Sequence, residues 1–176
     1  MLKLSKIINV VLPLFVLFET GALASKVSQI PLDSAPPVPL APVYRIHPGY
    51  TNPSKCVDVK GAIFEDGTPV QVYDCNASVA QIWYLKRGST KVRVAVAPNF
   101  CLDAGNPPFR DGRKVKIWEC VDVAAQQWYY TDDDRIAING HGFCLDLTDG
   151  KLSNENPIQI WTCTNNNANQ VWSATL

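Results

Sequence analysis

The chain has 176 residues, of which 16 are basic and 16 acidic, so its formal net charge is zero. Nucleic acids and anionic membranes attract proteins with an excess of cations, and this balance supports neither kind of partner. The segment beyond the N-terminal regions described below is long enough for one domain with its own hydrophobic core.

The first 24 residues are predicted to be a secretory signal peptide (1-24). Lys3 and Lys6 give a basic start, residues 7–18 form a short apolar core, and Ala22-Leu23-Ala24 is a small-residue cleavage site. A membrane-spanning helix needs roughly 20 apolar residues, and this core is shorter than that. The sequence therefore predicts that the protein is secreted.

The next segment, 25-42, is rich in proline and has no regular apolar period. Its prolines at the domain side are Pro31, Pro36, Pro37, Pro39 and Pro42. This composition is typical of an extended arm or linker. A propeptide or a strap on the domain surface fits the composition equally well. The remaining residues, 43-176, are predicted to form one domain.

Short β-prone runs follow one another from residue 43 onwards, separated by Gly, Pro, Asn and Asp, and no long helical period is present. In chain order the predicted strands are residues 43–46, 56–59, 70–73 and 82–85, then 92–96, 101–104, 115–118 and 128–130, then 135–138, 143–147, 158–161 and 171–173. Several of these runs alternate apolar and polar residues, as half-buried strands do. The chain is therefore predicted to be all-β.

The three groups of four strands carry one repeated pattern: a Cys, an Asp two residues later, a second Cys 17 residues after the Asp, and then a Gln-x-Trp triplet. The copies are Cys56, Asp58, Cys75, Gln81 and Trp83; Cys101, Asp103, Cys120, Gln126 and Trp128; and Cys144, Asp146, Cys163, Gln170 and Trp172. A repeat of this length is typical of a supersecondary unit that buries its apolar face against its neighbours. Three four-stranded units around a pseudo-threefold axis make a β-trefoil, in which closure removes most exposed strand edges.

All six cysteines belong to the repeat, and in a secreted chain they are expected to be oxidised. The pairing that treats the three copies alike joins Cys56 to Cys75, Cys101 to Cys120, and Cys144 to Cys163. Each bridge would close a loop of about 20 residues, which is worth roughly 3 kcal/mol in the chain-entropy model. Zinc sites place cysteines closer together or alternate them with histidine, so no metal or other cofactor is expected.

The tryptophans of the three triplets, Trp83, Trp128 and Trp172, occupy equivalent places in the repeat. A large ring at such a place buries a large apolar area when it packs near the axis. We therefore predict that they form the core, and that the neighbouring Gln side chains bind loop backbone or ligand.

The triplets, the Cys-x-Asp starts and the cysteine spacing together resemble the ricin B-type lectin family, over residues 43–176. Members of that family are carbohydrate-binding β-trefoils. The resemblance implies that each repeat can hold a shallow sugar pocket, with an Asp and an Asn or Gln bonding sugar hydroxyls and an aromatic ring stacking on the sugar. It also implies galactose-type sugars as the usual ligands.

The three copies differ at the positions that would form this pocket. In the third copy every role is filled, and the predicted main site is Asp146, Gln159, Trp161, Asn169 and Gln170. The first copy, predicted to be weaker because Ala80 replaces the Asn, has Asp58, Gln71, Tyr73 and Gln81. The second copy, predicted to be doubtful, has Asp103, Trp118 and Gln126. There Lys116 and Ala125 replace the amides, and we expect Asp103 to serve a local turn, with Lys116 available to pair with it.

The sequence offers no nucleophile with an oriented base, no evident carboxylate pair in a cleft and no metal site, so we expect a binding protein and not an enzyme. The predicted function is a secreted lectin whose partners are glycans or glycoconjugates. Two alternatives are the cell-binding subunit of a multi-chain toxin and a β-trefoil protease inhibitor.

Eight basic residues fall in the second copy, where a solvated face or a site for sulfated glycans would explain them. They are Lys86, Arg87, Lys91, Arg93, Arg110, Arg113, Lys114 and Lys116. Asn76-Ala77-Ser78 is an N-glycosylation sequon on a predicted loop.

Overall fold

The computed structural model describes residues 42–176, and the predicted signal peptide and nearly all of the proline-rich arm lie outside this range. The described residues form 14 β-strands and five short 3-10 helices. The strands are β1 (Val43–Pro48), β2 (Lys55–Val59), β3 (Val70–Asp74), β4 (Trp83–Tyr84), β5 (Gly88–Thr90), β6 (Arg93–Val94), β7 (Phe100–Asp103), β8 (Arg113–Lys114), β9 (Lys116–Glu119), β10 (Trp128–Tyr130), β11 (Ile136–Ile138), β12 (Phe143–Leu147), β13 (Asn156–Thr162) and β14 (Trp172–Thr175). The 3-10 helices are Lys60–Ala62, Val79–Gln81, Ala124–Gln126, Thr148–Gly150 and Ala168–Gln170. No helix in this part of the chain is long and apolar enough to cross a membrane.

The predicted all-β class is confirmed, and each of the twelve predicted strands has a counterpart. Two short strands were not predicted. β5 lies in the connection between the first and second repeats, and β8 lies just before the strand predicted over residues 115–118, from whose counterpart β9 it is separated by Val115. β8 is separate because it pairs with β13 of the third repeat, whereas β9 pairs with β7.

Each repeat contributes one long antiparallel hairpin, and these hairpins are β2 with β3, β7 with β9, and β12 with β13. β1 also pairs with β4 within the first repeat, whereas the pairings of β4 with β6, β10 with β11 and β1 with β14 join neighbouring repeats. The pairing of β1 with β14 brings the first repeat against the third and closes the ring. This arrangement is the predicted β-trefoil.

The core lies where the three repeats meet, and Trp83, Trp128 and Trp172 are among its largest fully buried side chains. Each indole N–H donates a hydrogen bond of 2.9 Å to a backbone carbonyl in the hairpin of its own repeat. A buried tryptophan needs such an acceptor for its one polar group. The prediction that these rings form the core is confirmed.

The three predicted disulfides are present, and they join Cys56 to Cys75, Cys101 to Cys120, and Cys144 to Cys163. Each one ties the start of a hairpin strand to the residue that follows the partner strand. Disulfides of this kind persist in oxidising surroundings and are consistent with an extracellular protein.

Candidate functional site

Each repeat places one aspartate at the end of its first hairpin strand, and all three side chains are buried. In the first repeat Gln71 Nε2 and Gln81 Nε2 each donate a hydrogen bond of 2.9 Å to a different oxygen of Asp58. In the third repeat Gln159 and Gln170 hold Asp146 in the same way, at 2.9 and 3.2 Å. Each carboxylate oxygen therefore keeps lone-pair capacity for one more donor.

The glutamines of the Gln-x-Trp triplets are fully buried beneath these carboxylates. Gln170 Nε2 also donates to the carbonyl of Thr162, and its Oε1 accepts from the backbone N–H of Thr164. Gln81 and Gln126 make the equivalent bonds in their own repeats. These side chains fix the direction of each Asp. They also bind loop backbone, which is one of the two roles predicted for them.

Burial raises the pKa of both Asp58 and Asp146 above the ordinary aspartate value, and the glutamine donors offset only part of this effect. Desolvation penalises the charged form of a carboxyl group, whereas hydrogen bonds to the ionised oxygens favour it. The two carboxylates are therefore strong acceptors that are incompletely satisfied by the protein.

The hairpin register places an aromatic residue, Tyr73, Trp118 or Trp161, two positions after the residue that pairs with each Asp, on the same face of the hairpin. Trp118 is 38% exposed and Trp161 41% exposed, in contrast to the buried tryptophans of the core. A flat ring open to solvent next to a fixed carboxylate suits a ligand that has hydroxyl groups on one edge and a C–H face on the other.

Each pocket is completed by the hairpin loop of the preceding repeat. In each repeat, the loop residue eight positions after the Asp accepts a hydrogen bond from a backbone N–H in the next repeat around the ring. That N–H belongs to the residue directly after the exposed aromatic residue of the next repeat. The pairs are Asp66 with Glu119 at 2.7 Å, Asp111 with Thr162 at 2.5 Å, and Asn154 with Asp74 at 2.9 Å. The next loop residue is Gly67, Gly112 or Glu155, and a Cβ built on either glycine would lie less than 4 Å from the neighbouring indole ring.

The first repeat has an open cleft of about 340 Å³ at its candidate site. Asp58, Gln71 and Tyr73 line it together with Ala80, and Gln81 lies buried beneath it, bonded to Asp58, so the structure brings the predicted residues of this repeat to one place. Glu155 of the third repeat also lines the cleft, and its carboxylate pairs with Lys60 at 3.1 Å across the rim.

The third repeat brings Asp146, Gln159 and Gln170 together but adds a cation from outside the repeat. Lys114 Nζ donates to Gln159 Oε1 and to Thr148 Oγ1, both at 2.8 Å. Burial lowers the pKa of this ammonium group. The amide of Gln159 is therefore held between Lys114 and Asp146, which fixes its orientation.

Asn169 directly precedes Gln170, which bonds Asp146, and its side chain faces the turn at Gly150. It packs against Gly150, where an added Cβ would lie 3.0 Å from Asn169 Oδ1. Both residues line a neighbouring cleft of about 860 Å³, to which Asp146, Gln159 and Trp161 do not contribute. In the first repeat the corresponding pair is Ala62 with Ala80, and both line the cleft beside Asp58.

The second repeat is built differently. Asp103 Oδ1 accepts from the backbone N–H of Gly105 at 2.6 Å, so the predicted turn role of this side chain is confirmed. Lys116 turns away from Asp103, the partner expected from the sequence. Its ammonium group lies 4.2 Å from the centre of the Trp118 ring and covers that ring, and no ion pair joins Lys116 to Asp103 in the described range.

The sequence between residues 43 and 172 matches the model of the family described as the ricin-type beta-trefoil lectin domain. This match covers well over half of the chain. The protein belongs to the ricin-type lectin family. Carbohydrate binding is the activity of this family's domain, and the domain itself is not enzymatic.

Solved structures similar to this ricin-type domain share its fold at low sequence identity. The designed threefold-symmetric protein ThreeFoil has a TM-score of 0.67 and 23% identity, over 75% of this chain and 96% of that one. The ricin B-like lectin of Macrolepiota procera, solved in complex with lactose, has a TM-score of 0.61 and 18% identity, over 78% and 96%. A mosquitocidal holotoxin has a TM-score of 0.65 and 19% identity, but the matched part covers 78% of this chain and only 17% of the toxin. No curated protein matches the chain in sequence.

Sequence reasoning within one repeat missed the residues of this ricin-type domain that reach a pocket from the preceding repeat. Lys114 stands eleven positions after Asp103, where the other copies have Pro69 and Pro157. The strand pairing sets Lys114 opposite Gln159 and Pro157 opposite Gln71. The sequence shows that Lys114 replaces a proline, but it does not show that Lys114 reaches the pocket of the third repeat.

His47 lies within reach of the two sulfur atoms of Cys56 and Cys75. Those sulfurs are joined in a disulfide, so they offer no thiolate to a metal ion. The imidazole instead bonds the carbonyl of Lys55 at 2.8 Å and the hydroxyl of Thr175 at 2.9 Å, which joins β1, β2 and β14.

Proposed function

We propose that this protein is a secreted lectin that binds galactose-type sugars through the Asp-centred pockets of its third and first repeats. One observation carries the proposal. In both repeats a buried carboxylate is held by two glutamine amides, and a partly exposed aromatic ring lies on the same face of its hairpin. Secretion is inferred from the signal-like residues 1–24, together with the three disulfides.

The chemistry of the pocket fits a galactose-type sugar. An ionised carboxylate accepts two neighbouring hydroxyl protons in charge-assisted hydrogen bonds, which are stronger than neutral ones. The axial hydroxyl of galactose leaves the opposite face of the ring as a continuous C–H patch, on which an indole or phenol ring stacks. The lactose bound to the Macrolepiota procera lectin contains galactose and supports this choice of sugar.

The third repeat is proposed as the main site and the first repeat as the second. Trp161 offers a larger stacking face than Tyr73, and Lys114 holds Gln159 in a fixed orientation. Asn169 is proposed to reach the sugar from the neighbouring cleft. A single shallow pocket of this kind binds with a free energy of about 4 to 6 kcal/mol, in the millimolar to high micromolar range.

The second repeat is not proposed as a site. Its carboxylate is used by the Gly105 turn, and Lys116 covers its aromatic ring. It therefore supplies matched controls, because Asp103 and Trp118 occupy the same places as Asp146 and Trp161.

Retention on a galactose-bearing resin tests the proposal. We expect Asp146→Asn or Trp161→Ala to remove most retention, Asp58→Asn to remove less, and the Asp58→Asn/Asp146→Asn double variant to remove all of it. Asp103→Asn and Trp118→Ala should leave retention unchanged. Wild-type retention by the folded double variant would contradict the proposal.

We infer that the protein acts by binding and not by catalysis. A cell-binding role within a larger toxin would use the same pockets, and co-purification of a catalytic chain would support that role. Inhibition of a protease would not depend on Asp146 or Asp58, so inhibition that survives in the Asp58→Asn/Asp146→Asn variant would support the β-trefoil protease inhibitor instead.

A further inference from the structure

A large cleft of about 1020 Å³ lies apart from the Asp-centred pockets and shares no lining residue with the first-repeat cleft. Its walls come from all three repeats. Tyr44 of β1 contributes, as do the inter-repeat connection from Tyr84 to Arg93, Tyr130 with Asp134 at the junction of the second and third repeats, and Ser173 of β14. This volume is at the upper end of the range for ligand sites in proteins.

The charges of this cleft are unequal, although the whole chain is neutral. Lys86, Arg87, Lys91 and Arg93 line the cleft, and Asp134 is the one carboxylate among its lining residues. That carboxylate is already satisfied, because it accepts hydrogen bonds from Tyr50, Arg87 and Tyr130. Burial alone would raise the pKa of Asp134, but these donors outweigh it and the pKa is lowered.

Two of the four cations are committed to the protein. Arg87 pairs with Asp134 and lies over the Tyr130 ring, 3.8 Å from its centre. Lys91 Nζ donates to the carbonyl of Val121 at 2.5 Å. For Lys86 and Arg93, no side-chain hydrogen bond or ion pair is found to any residue of the range 42–176, and both are exposed. The cleft thus presents two unpaired cations, supported by two that are fixed.

The structure divides the eight basic residues of the second repeat into two groups. Those of the hairpin are largely engaged: Arg113 donates to the carbonyls of Asn106 and Pro108, Lys114 to Gln159, and Lys116 covers Trp118. Only the group at the inter-repeat connection converges on a cleft. A solvated face accounts for Arg110, which is exposed, but it does not account for the convergence of the other group.

We propose that this cleft binds a sulfated oligosaccharide. Sulfate esters are charged at every physiological pH and accept charge-assisted hydrogen bonds from lysine and arginine. The phenol rings of Tyr44 and Tyr84 supply apolar faces for the C–H surfaces of sugar rings, as the exposed rings of the other pockets do. The site is independent of Asp58 and Asp146, so it extends the binding of the protein to a second class of glycan.

Isothermal titration of the full-length mature protein with a heparin-derived hexasaccharide tests this inference. We expect binding at roughly 50 mM salt that weakens strongly at roughly 300 mM, because exposed charges are screened over shorter distances as salt rises. The Lys86→Glu/Arg93→Glu variant should bind roughly tenfold more weakly or not at all. The matched variant Arg110→Glu/Lys151→Glu carries the same change of charge at exposed positions outside the cleft, and it should bind within about twofold of wild type.

Circular dichroism and retention on the galactose resin show whether each variant is folded, and we expect both to be unchanged. Equal loss of binding in the two double variants would reduce the effect to net charge and overturn the proposal. Binding of a single-stranded oligonucleotide in place of the hexasaccharide would also overturn it. A third outcome would also overturn the proposal: the wild-type protein forms a dimer that binds no hexasaccharide, and the Lys86→Glu/Arg93→Glu variant is monomeric. The cleft would then be assigned to a second copy of the chain.

Discussion

Asp111 of the second repeat accepts two hydrogen bonds from Thr162 of the third, from the backbone N–H at 2.5 Å and from the hydroxyl at 2.9 Å. Thr162 directly follows Trp161, so this contact anchors the backbone beside the ring that is proposed to stack on the sugar. Asp66 and Asn154 make the corresponding contacts in the other two repeats. Each candidate sugar pocket is therefore assembled from two repeats.

Asp111→Ala should lower the free energy of unfolding by about 1 to 2 kcal/mol, because it removes two hydrogen bonds to one charged acceptor at the surface. It should also weaken galactose binding at the third repeat, since Trp161 loses its support. Urea denaturation and resin retention measure the two effects. Asp111→Asn keeps an acceptor oxygen, as Asn154 does naturally, and should recover most of both. An alanine variant with wild-type stability and retention would contradict the role of this contact.

The Gly150 and Asn169 pair should show strong energetic coupling. Gly150 has φ of 65°, and a Cβ there would lie 3.0 Å from Asn169 Oδ1. Gly150→Ala should therefore destabilise the fold through both the left-handed backbone and the clash, by about 2 kcal/mol in total. Adding Asn169→Ala recreates the Ala62 and Ala80 pair of the first repeat, where Ala62 already adopts φ of 54°. The double variant should regain part of the loss, which a double-mutant cycle measures; strictly additive losses would show that the two side chains do not interact.

Galactose binding should fall on acidification at a pH above the ordinary aspartate pKa of 3.8, because burial raises the pKa of Asp146 and Asp58. The ionised form accepts the sugar hydroxyls, so protonation removes binding. The raised pKa has the opposite effect on stability. Protonation of these two groups favours the folded state, and the stability they contribute falls as the pH rises through their raised pKa values.

Acidification should therefore abolish galactose binding, whereas protonation of these two carboxyl groups should not destabilise the fold. Resin retention and circular dichroism, followed together from about pH 7 to about pH 3.5, separate the two quantities. A midpoint of binding at or below 3.8 would mean that burial does not raise these pKa values.

Glycosylation at Asn76 should block the first-repeat cleft. Asn76 and Ser78 of the sequon line that cleft, and Asn76 is exposed. In a host that attaches N-glycans, Asp146→Asn should therefore abolish retention on the galactose resin, because the third repeat is then the one open site. The same variant made without glycosylation, or carrying Asn76→Gln, should keep the weaker retention through Asp58. Retention that is the same with and without the glycan would show that the sugar chain leaves the cleft accessible.

The sequence predicted most of the architecture, because the triplication places equivalent residues in equivalent surroundings. The disulfide pairing, the buried Trp83, Trp128 and Trp172, and the strand content all followed from the repeat itself. Of the exceptions, β5 lies in the connection between the first two repeats, and β8 lies within the second repeat but pairs with β13 of the third. There the pairing depends on a strand from another part of the chain, which a pattern within one repeat does not contain.

The candidate sites were predicted less completely. The spacing located the three carboxylates, but it could not tell that Lys114 would bond Gln159, nor that Lys116 would cover Trp118 and leave Asp103 to a turn. These outcomes depend on which of several acceptors a long flexible side chain reaches.

The pairing of β1 with β14, which sets Arg45 opposite Thr175, has a consequence for the connectivity of the chain. The two ends of the domain lie on adjacent strands, and every repeat contacts both of the others through the same set of loop bonds. A polypeptide cut in one of the inter-repeat connections and rejoined by a short linker between residues 43 and 176 could keep all of these pairings. The three repeats form a ring in space, so a domain that begins at another inter-repeat connection could have the same fold.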